Sequence, residues 1–418
     1  MIFFDTLELG GYSHGLWALC ALKGLVLARF PVIEAIKSAV YVDSKDDLLW
    51  FGAYDHKLYV LKLVLNQGFS TNEQLDKKDE TTEIDLIPVE SLPYKFVQLW
   101  SHNCSGSVFA SVLEDFKSGR IYVADTGGTL FCIERKSGSS SQPNGLQFAV
   151  VWSCRPSGAP LFATPAINSC GNVLVIASVN GSVRGLCPVD GSVIWAFQHS
   201  ENKPFFSSPR IHNDIIYLGC HDGYCYVFQV MNGELIWKIP SNIQHQNLAP
   251  VVSSVFVWSY PLTQAHRGLK KRRVDGILTG TDSEAEITKS AYEGKEYLKQ
   301  SLAAPILSTY EFEDDNESNS NLKRQRSSCD DSEYISPALA VKKDKNCMQI
   351  YFVLVSQTGT VTVWRHCQCI ISTITESPPI QIACFQLSAE VFSSPVVFNN
   401  QIVLGTRDNR LYCLKLCT

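Results

Sequence analysis

Seven short segments of this chain repeat one pattern, and that repetition constrains the fold more than any other feature. The clearest copies are Gly219-Cys-His-Asp-Gly-Tyr-Cys-Tyr-Val-Phe228, Gly405-Thr-Arg-Asp-Asn-Arg-Leu-Tyr-Cys-Leu414 and Gly52-Ala-Tyr-Asp-His-Lys-Leu-Tyr-Val-Leu61. Looser copies occupy residues 11–19, 124–133, 177–186 and 356–364. Each runs from a small residue through a polar turn pair into alternating apolar residues, the outgoing arm of a β-hairpin. An apolar incoming arm precedes it, as in Ile215-Ile-Tyr-Leu218 and Leu48-Leu-Trp-Phe51. A lone hairpin cannot bury its apolar face, so the copies must stack into one body.

The unit is longer than the hairpin. A glycine often precedes an apolar-Trp pair, as in Gly191-Ser-Val-Ile-Trp195 and Gly233-Glu-Leu-Ile-Trp237. About a dozen residues later come two small residues, often followed by proline. Examples end at Pro165, Pro209 and Pro395, and Phe109-Ala-Ser111 fits without the proline. Four strands fit the spacing, which is near the forty residues of a propeller blade. The small-small-Pro segment suits an innermost strand, where blades converge and side chains must be small. Proline is tolerated there because no neighbouring strand needs its N–H. Trp195 and Trp237 would then lie on outer strands and fill the widening wedge between blades.

The expected fold is therefore all-β: a propeller of about seven four-stranded blades spanning residues 1–418, with eight blades in a longer protein as the alternative. The first copy lacks an inner strand and the last lacks a Trp strand, so a fragment, incomplete at its N-terminus, is the favoured reading. Two stretches break the rhythm. Residues 66–94 read as a polar loop between blades. Residues 259–346, inside the fifth repeat, have a composition that cannot bury enough apolar surface to order itself. Residues 301–307 and 247–250 are both candidates for the inner strand there.

Bulk properties narrow the function. Net charge is −5 and charged residues make up 18% of the chain, with no basic excess to suggest nucleic acid. No apolar stretch is long enough to span a bilayer, and no secretory signal is visible. Fifteen cysteines then fit a reduced setting, cytoplasmic, with nuclear import through the basic runs at 270–273 and 323–326 as the alternative. Cys367 and Cys369 form the only close cysteine pair, and nothing accompanies them that would complete a metal site.

Several turns carry acidic or imidazole groups: His14, Asp55, His56, Asp125, His221, Asp222 and Asp408. One reading makes them a polar ring on one propeller face. The other makes Asp55, Asp125, Asp222 and Asp408 turn supports, since Asp bonds its own turn backbone. Recurrence at one repeat position favours turn support, because catalysis needs different groups in different roles. No catalytic, cofactor-binding or metal-binding constellation emerges.

The repeat resembles the pyrroloquinoline-quinone-type, quinoprotein-like propeller repeat, seen in residues 188–195 and 229–237. The WD40 pattern fits less well, as no repeat ends in Trp-Asp. Glu390-Val-Phe-Ser-Ser-Pro-Val-Val397, with the repeat at 405–414, resembles the C-terminal propeller of the β-alanine-activating enzyme family. That resemblance implies a non-catalytic tail of an ATP-dependent acyl-activating protein, offering a face to a protein partner or a carrier or acceptor. The expected state is a monomer without its own cofactor. The alternatives are a stand-alone scaffold and a quinone-dependent oxidoreductase, the latter lacking the adjacent Cys-Cys pair usual in that class.

Overall fold

The computed structural model describes residues 2–5, 15–20, 22, 24–43, 46–67, 92–137, 146–243, 248–261, 284–285, 302–303, 347–369, 378–398 and 401–415. The first sheet holds β1 (Ile2–Asp5), β2 (Gly15–Leu19) and β3 (Val26–Pro31). The second holds β4 (Tyr41–Val42), β5 (Leu48–Gly52), β6 (Lys57–Leu65) and β7 (Tyr94–Asn103). The third holds β8 (Leu113–Glu114), β9 (Ile121–Ala124), β10 (Leu130–Ser137) and β11 (Leu146–Cys154). The fourth holds β12 (Ala166–Ile167), β13 (Leu174–Ala177), β14 (Ser182–Leu186) and β15 (Val193–Gln198). The fifth holds β16 (Arg210–His212), β17 (Ile215–Gly219), β18 (Tyr224–Gln229) and β19 (Leu235–Pro240).

In the sixth sheet β20 (Phe256–Pro261) pairs with β23 (Cys347–Val355), followed by β24 (Thr360–Cys369) and β25 (Ile380–Gln386). Between β20 and β23, β21 (Glu284–Ala285) pairs separately with β22 (Leu302–Ala303). The seventh sheet holds β26 (Val396–Phe398), β27 (Gln401–Thr406) and β28 (Arg410–Lys415). Every pairing is antiparallel between neighbours in order, and no described residue is helical. The architecture is a β-propeller of sequential up-and-down blades. We call the strands of a complete blade inner, second, third and outer.

The inner strand of the sixth blade is β20. This corrects both candidates: Leu302–Ala303 pairs outside the blade, and residues 248–250 lie in the loop before it. Counted from the inner strand that opens each blade, residues 262–346 join strands of the sixth blade. Pro261 still pairs with Met348, so β20 continues three residues into the range read as insertion. Beyond its paired residues, that range lies outside the described residues, as do 68–91 of the proposed inter-blade loop.

Burial follows strand position. The second strands β5, β9, β13 and β17 are buried at every residue, because they are sandwiched between neighbouring blades. The outer strand β11 alternates half-buried with exposed, as an edge facing water must. The core is six separate apolar layers, one in each gap between consecutive sheets. Register slips by one residue where third and outer strands pair in six sheets. A bulge there adds twist as the blade widens away from the axis.

Trp152, Trp195 and Trp237 lie on outer strands. Trp195 on β15 donates its indole N–H to the Val230 carbonyl of the next blade at 2.7 Å. Trp152 on β11 does the same to Pro188 at 3.2 Å. Each ring covers a glycine in the next blade's turn between third and outer strands. A Cβ at Gly233 would sit 2.3 Å from the Trp195 ring, and one at Gly191 2.9 Å from the Trp152 ring. Trp237 contributes to the layer between the fifth and sixth sheets, 5.0 Å from the His366 ring.

Gly233 and Gly119 have nearly the same positive φ, 69° and 71°, yet a Cβ at Gly119 meets nothing within 4 Å. Gly119→Ala should cost only left-handed backbone strain, about 1–2 kcal/mol. Gly233→Ala should add overpacking of about 1–3 kcal/mol. Thermal unfolding of the two variants side by side checks this, and equal midpoints would refute the tryptophan dock.

Candidate functional site

Antiparallel order places the turn between second and third strands at the same end of each blade as the loop entering its inner strand. We call this end the upper face. The repeat turns Ala53–Lys57, Asp125–Thr129, Cys220–Tyr224 and Thr406–Arg410 all lie there.

The entry loops sew the blades together. Each carries a buried apolar residue, then a second residue, then the small pair. The buried series is Ile36, Val108, Leu161, Phe205, Val251 and Val391. Val108, Leu161, Phe205, Val251 and Val391 donate their N–H to turn carbonyls of the preceding blade, at 2.9–3.2 Å. Turn amides of the following blade bond back to the same loops: Thr126 to Ser107, His221 to Pro204 and Gln357 to Pro250. A loop thus joins two consecutive blades through main chain alone.

The small pair has two separate jobs. Its first member clamps the end of its own second strand where that member is serine. Ser38 Oγ accepts from Gly52 N at 2.7 Å and donates to Gly52 O. Ser393 does the same with Gly405, and Ser207 Oγ accepts from Gly219 N at 3.2 Å. Glycine is needed at positions 52 and 219 because the next loop presses against them. A Cβ on Gly52 would lie 2.1 Å from Val108, and one on Gly219 2.4 Å from Val251.

The second member forms a relay around the axis. Ala39 N donates to Ser111 Oγ (3.2 Å), Ser111 N to Thr164 Oγ1 (2.9 Å) and Thr164 N to Ser208 Oγ (2.9 Å). Ser208 N donates to Ser254 Oγ (3.2 Å), and Ser254 N to Ser394 Oγ (3.0 Å). Five consecutive blade junctions therefore share one bond, each hydroxyl receiving the amide of the blade before. The sequence pattern located the pairs ending in Ser111, Thr164, Ser208 and Ser394 but missed Ser38-Ala39 and Ser253-Ser254. Neither missed pair has the phenylalanine that precedes the four located ones. Pro165, Pro209 and Pro395 are each buried immediately before an inner strand.

The residue before the small pair is aromatic in four loops. Tyr54, Phe109, Phe162, Phe206 and His221 form a continuous arc with centroids 5.1–6.0 Å apart. In the seventh blade Phe392 lies under the Arg407 guanidinium at 4.9 Å. Tyr54 and Phe392 are each about half exposed, at 47% and 46%. This aromatic collar crowns the relay.

The turn acids share this face, but each is bonded locally. Asp55 accepts from Lys57 N (3.1 Å) and Tyr59 OH (2.5 Å). Buried Asp125 accepts from Ser105 N, Ser105 Oγ, Gly106 N and Thr129 N. Exposed Asp408 pairs with Thr406 and Arg410. His56 has a positive φ of 64°, His221 is exposed beside Phe206, and His14 lies outside the described residues.

Asp222 sits in the densest cluster. One oxygen accepts from Tyr226 OH (2.8 Å), Lys238 Nζ (2.9 Å) and His199 Nε2 (3.2 Å). Burial alone pushes this carboxyl up. Bonds from Lys238, Tyr226 and His199 outweigh it and hold the group below its ordinary range. His199, Cys220 and Asp222 bring potential ligand atoms within 4.8 Å of one another. Their electrons are already committed. His199 Nδ1 accepts from Glu201 N and Lys203 N, which places the proton on Nε2, facing Asp222. Burial pushes the Cys220 thiol up, and its sulfur lies 3.6 Å from the Pro204 carbonyl. The Lys238 ammonium already neutralises the carboxylate. This donor set suits a partly buried ion cluster rather than a cation site.

A second buried seam, unseen in the sequence, crosses from the fifth sheet to the sixth. Tyr217 OH and His366 Nε2 are 2.6 Å apart. Burial holds His366 down at about 4, against an ordinary 6.5. Between the second and third sheets, buried Asp43 pairs with Arg135, which also reaches Asp46 at 3.0 Å.

Residues 97–265 match a repeat-family model, PQQ_2, described as outer membrane protein assembly factor BamB. The matched stretch contains the third, fourth and fifth blades entire. Those blades are similar to PQQ-type propeller repeats. No curated protein matches the sequence. Among solved structures, a chain of the mitotic checkpoint complex is similar at TM-score 0.50 and 8% identity, over 97% of this chain and 84% of that one. BamB from Moraxella catarrhalis gives 0.43 at 10% identity, covering 96% and 90%. The WD40 propeller domain of Doa1 gives 0.45 at 13%, covering 96% and 85%. At such identities the likeness concerns fold alone.

Two outcomes follow from this geometry. Ser208→Ala strands the Thr164 amide at a tight junction and should cost about 1–3 kcal/mol, while Ser208→Thr retains the acceptor. Denaturant unfolding of both variants checks it, and equal losses would remove the relay's energetic role. His366 has a folded pKa below its unfolded one, so its contribution is complete above pH 6.5 and is lost as pH falls towards 4. Stability should fall by about 1.4 kcal/mol per pH unit across that window. His366→Phe should flatten that limb in a pH series of melting curves.

Proposed function

We propose that this propeller is a protein-docking module that engages its partner through the upper face. The aromatic collar carries the reading: four aromatic rings and His221 form one arc around the axis, partly open to solvent, on a relay that fixes their spacing. Rigid aromatic side chains supply contact area at low entropic cost, which is why docking surfaces concentrate them. The turn acids on the same face serve in this reading as supports for their own turns. The family model that matches residues 97–265 is described as an assembly factor, which is consistent with a docking role.

A finer reading rests on the resemblance of residues 390–397 and 405–414 to acyl-activating proteins. In it, the chain is the non-catalytic propeller of an ATP-dependent acyl- or amino-acid-activating protein, and the upper face receives a carrier or acceptor. Sequencing full-length transcripts through Met1 tests it, since an in-frame adenylation and carrier region is the required result.

The docking reading has its own test. A photo-reactive phenylalanine analogue replaces Phe109, Phe162 or Phe392 in cells that make the protein, with Val151 on the outer rim as control. Collar positions should each give the same discrete cross-linked adduct, and Val151 should not. Adducts from Val151 alone, or none from the collar, would sink the reading.

A further inference from the structure

A cavity of about 490 Å³ opens on the upper face between the second and third blades, at the ends of β7 and β11 and the start of β10. It shares a loop with the collar: Ser105 lines the cavity, and Phe109 follows four residues later. Its walls are mainly polar, with Asn103, Ser105, Thr129, Ser153 and Arg155 among them.

Arg155 is the one charged group in that wall. Its side chain is exposed, and its only hydrogen bond among the described residues runs from Nε to Thr129 Oγ1 at 3.3 Å. A guanidinium has five N–H donors in a planar fork, so four remain for an external acceptor. No described carboxylate forms an ion pair with it. The nearest acid in the bonding network, Asp125, is already saturated. It accepts four hydrogen bonds from Ser105, Gly106 and Thr129, behind a Ser105–Thr129 hydroxyl pair 2.7 Å apart.

This arrangement selects a ligand by charge and by its amount. A guanidinium fork matches an oxyanion in bidentate geometry. One arginine balances one negative charge, whereas phosphate near −2 is usually held by arginine clusters. Buried Asp125 beneath the floor adds a further penalty on a second negative charge. The volume lies in the range that accepts small ligands or a few side chains. We propose that the cavity takes a carboxylate side chain of a docked peptide, with Arg155 as its fork and the Asn103 and Ser153 side chains as neutral donors beside it. This rests on the upper-face docking reading and names the chemistry of the partner's segment: acidic, with a glutamate or aspartate anchoring next to the collar.

The test uses the purified full chain and a fluorescein-labelled peptide of alternating Glu and Ser, read by polarisation. Serine-for-glutamate, lysine-for-glutamate and phosphoserine-for-glutamate versions are run alongside. The glutamate peptide should bind saturably, weaken as salt rises, and lose at least 10-fold in affinity with Arg155→Gln. Arg155→Lys, which keeps charge but not the fork, should recover part of that loss. Lys136→Gln, at the opposite end of β10, should change affinity less than 2-fold. Melting curves accompany each variant, and a misfolded Arg155→Gln hands the decision to Arg155→Lys, which must then bind more weakly than the parent. No saturable binding at millimolar peptide, equal binding by parent and arginine variants, or a preferred phosphoserine peptide each overturns the proposal. Cross-linking from the collar is read independently. A silent collar with an acid-binding cavity removes the docking reading alone, and a cross-linking collar with an indifferent cavity removes this inference alone.

Discussion

The structure depends on one constraint near the axis: blades meet there at distances that admit only small side chains, so their polar backbone must be satisfied across the junction. An unpaired buried amide costs about as much as a lost hydrogen bond. The hydroxyls of Ser111, Thr164, Ser208, Ser254 and Ser394 supply the missing acceptors, each to the blade before. Small size and an acceptor oxygen are required at the same position, and serine and threonine provide both. The first member of the pair meets a looser demand. Where it is alanine, at 110 and 163, the matching strand end is also alanine, at 124 and 177, and no clamp forms.

The same demand explains the wide end of each wedge. Apolar layers widen outward, and tryptophan fills the space and docks onto a glycine turn. Trp195 and Trp152 each combine ring packing with one N–H bond to the next blade. Hydroxyls lock the narrow end and indoles the wide end, so blades are held in register at two radii. Buried polar pairs such as Tyr217–His366 and Asp43–Arg135 add directional contacts within single gaps. For the Asp43–Arg135 ion pair, desolvation offsets much of the attraction, so its presence is weak evidence for net stability.

The hairpins were legible because their signal is local: a small residue, an Asp- or Asn-rich turn and apolar arms fall within ten residues. Blade order followed from repetition. The small pairs were legible where a phenylalanine precedes them, at 109, 162, 206 and 392, so Ser38-Ala39 and Ser253-Ser254, which follow Lys37 and Val252, passed unseen, and the sixth inner strand was sought at 247–250 and 301–307. A better signal was available in the spacing: a serine 12 to 14 residues ahead of the strand-end glycine occurs as Ser38/Gly52, Ser207/Gly219 and Ser393/Gly405. The relay itself joins residues about 44 to 140 positions apart, and His366 lies 149 from Tyr217. No periodicity within one blade encodes such partners. They follow only once blades are stacked in order.

The upper face inherits its chemistry from that stacking. An entry loop must turn sharply into a crowded inner strand, so its residues alternate between buried and outward-facing. The buried position anchors to the preceding blade, and the next position projects around the axis. Because the relay repeats the spacing, aromatic residues at that projecting position meet one another. Phe109, Phe162 and Phe206 therefore form an arc that no single blade could make. The arc ends where the pattern changes: the same position is Lys37 in the second blade and Val252 in the sixth. Polar residues of the neighbouring turns then border it, Arg155 among them. An apolar centre with a charged border is the distribution expected of a recognition surface, and here it arises from the geometry that holds the blades together.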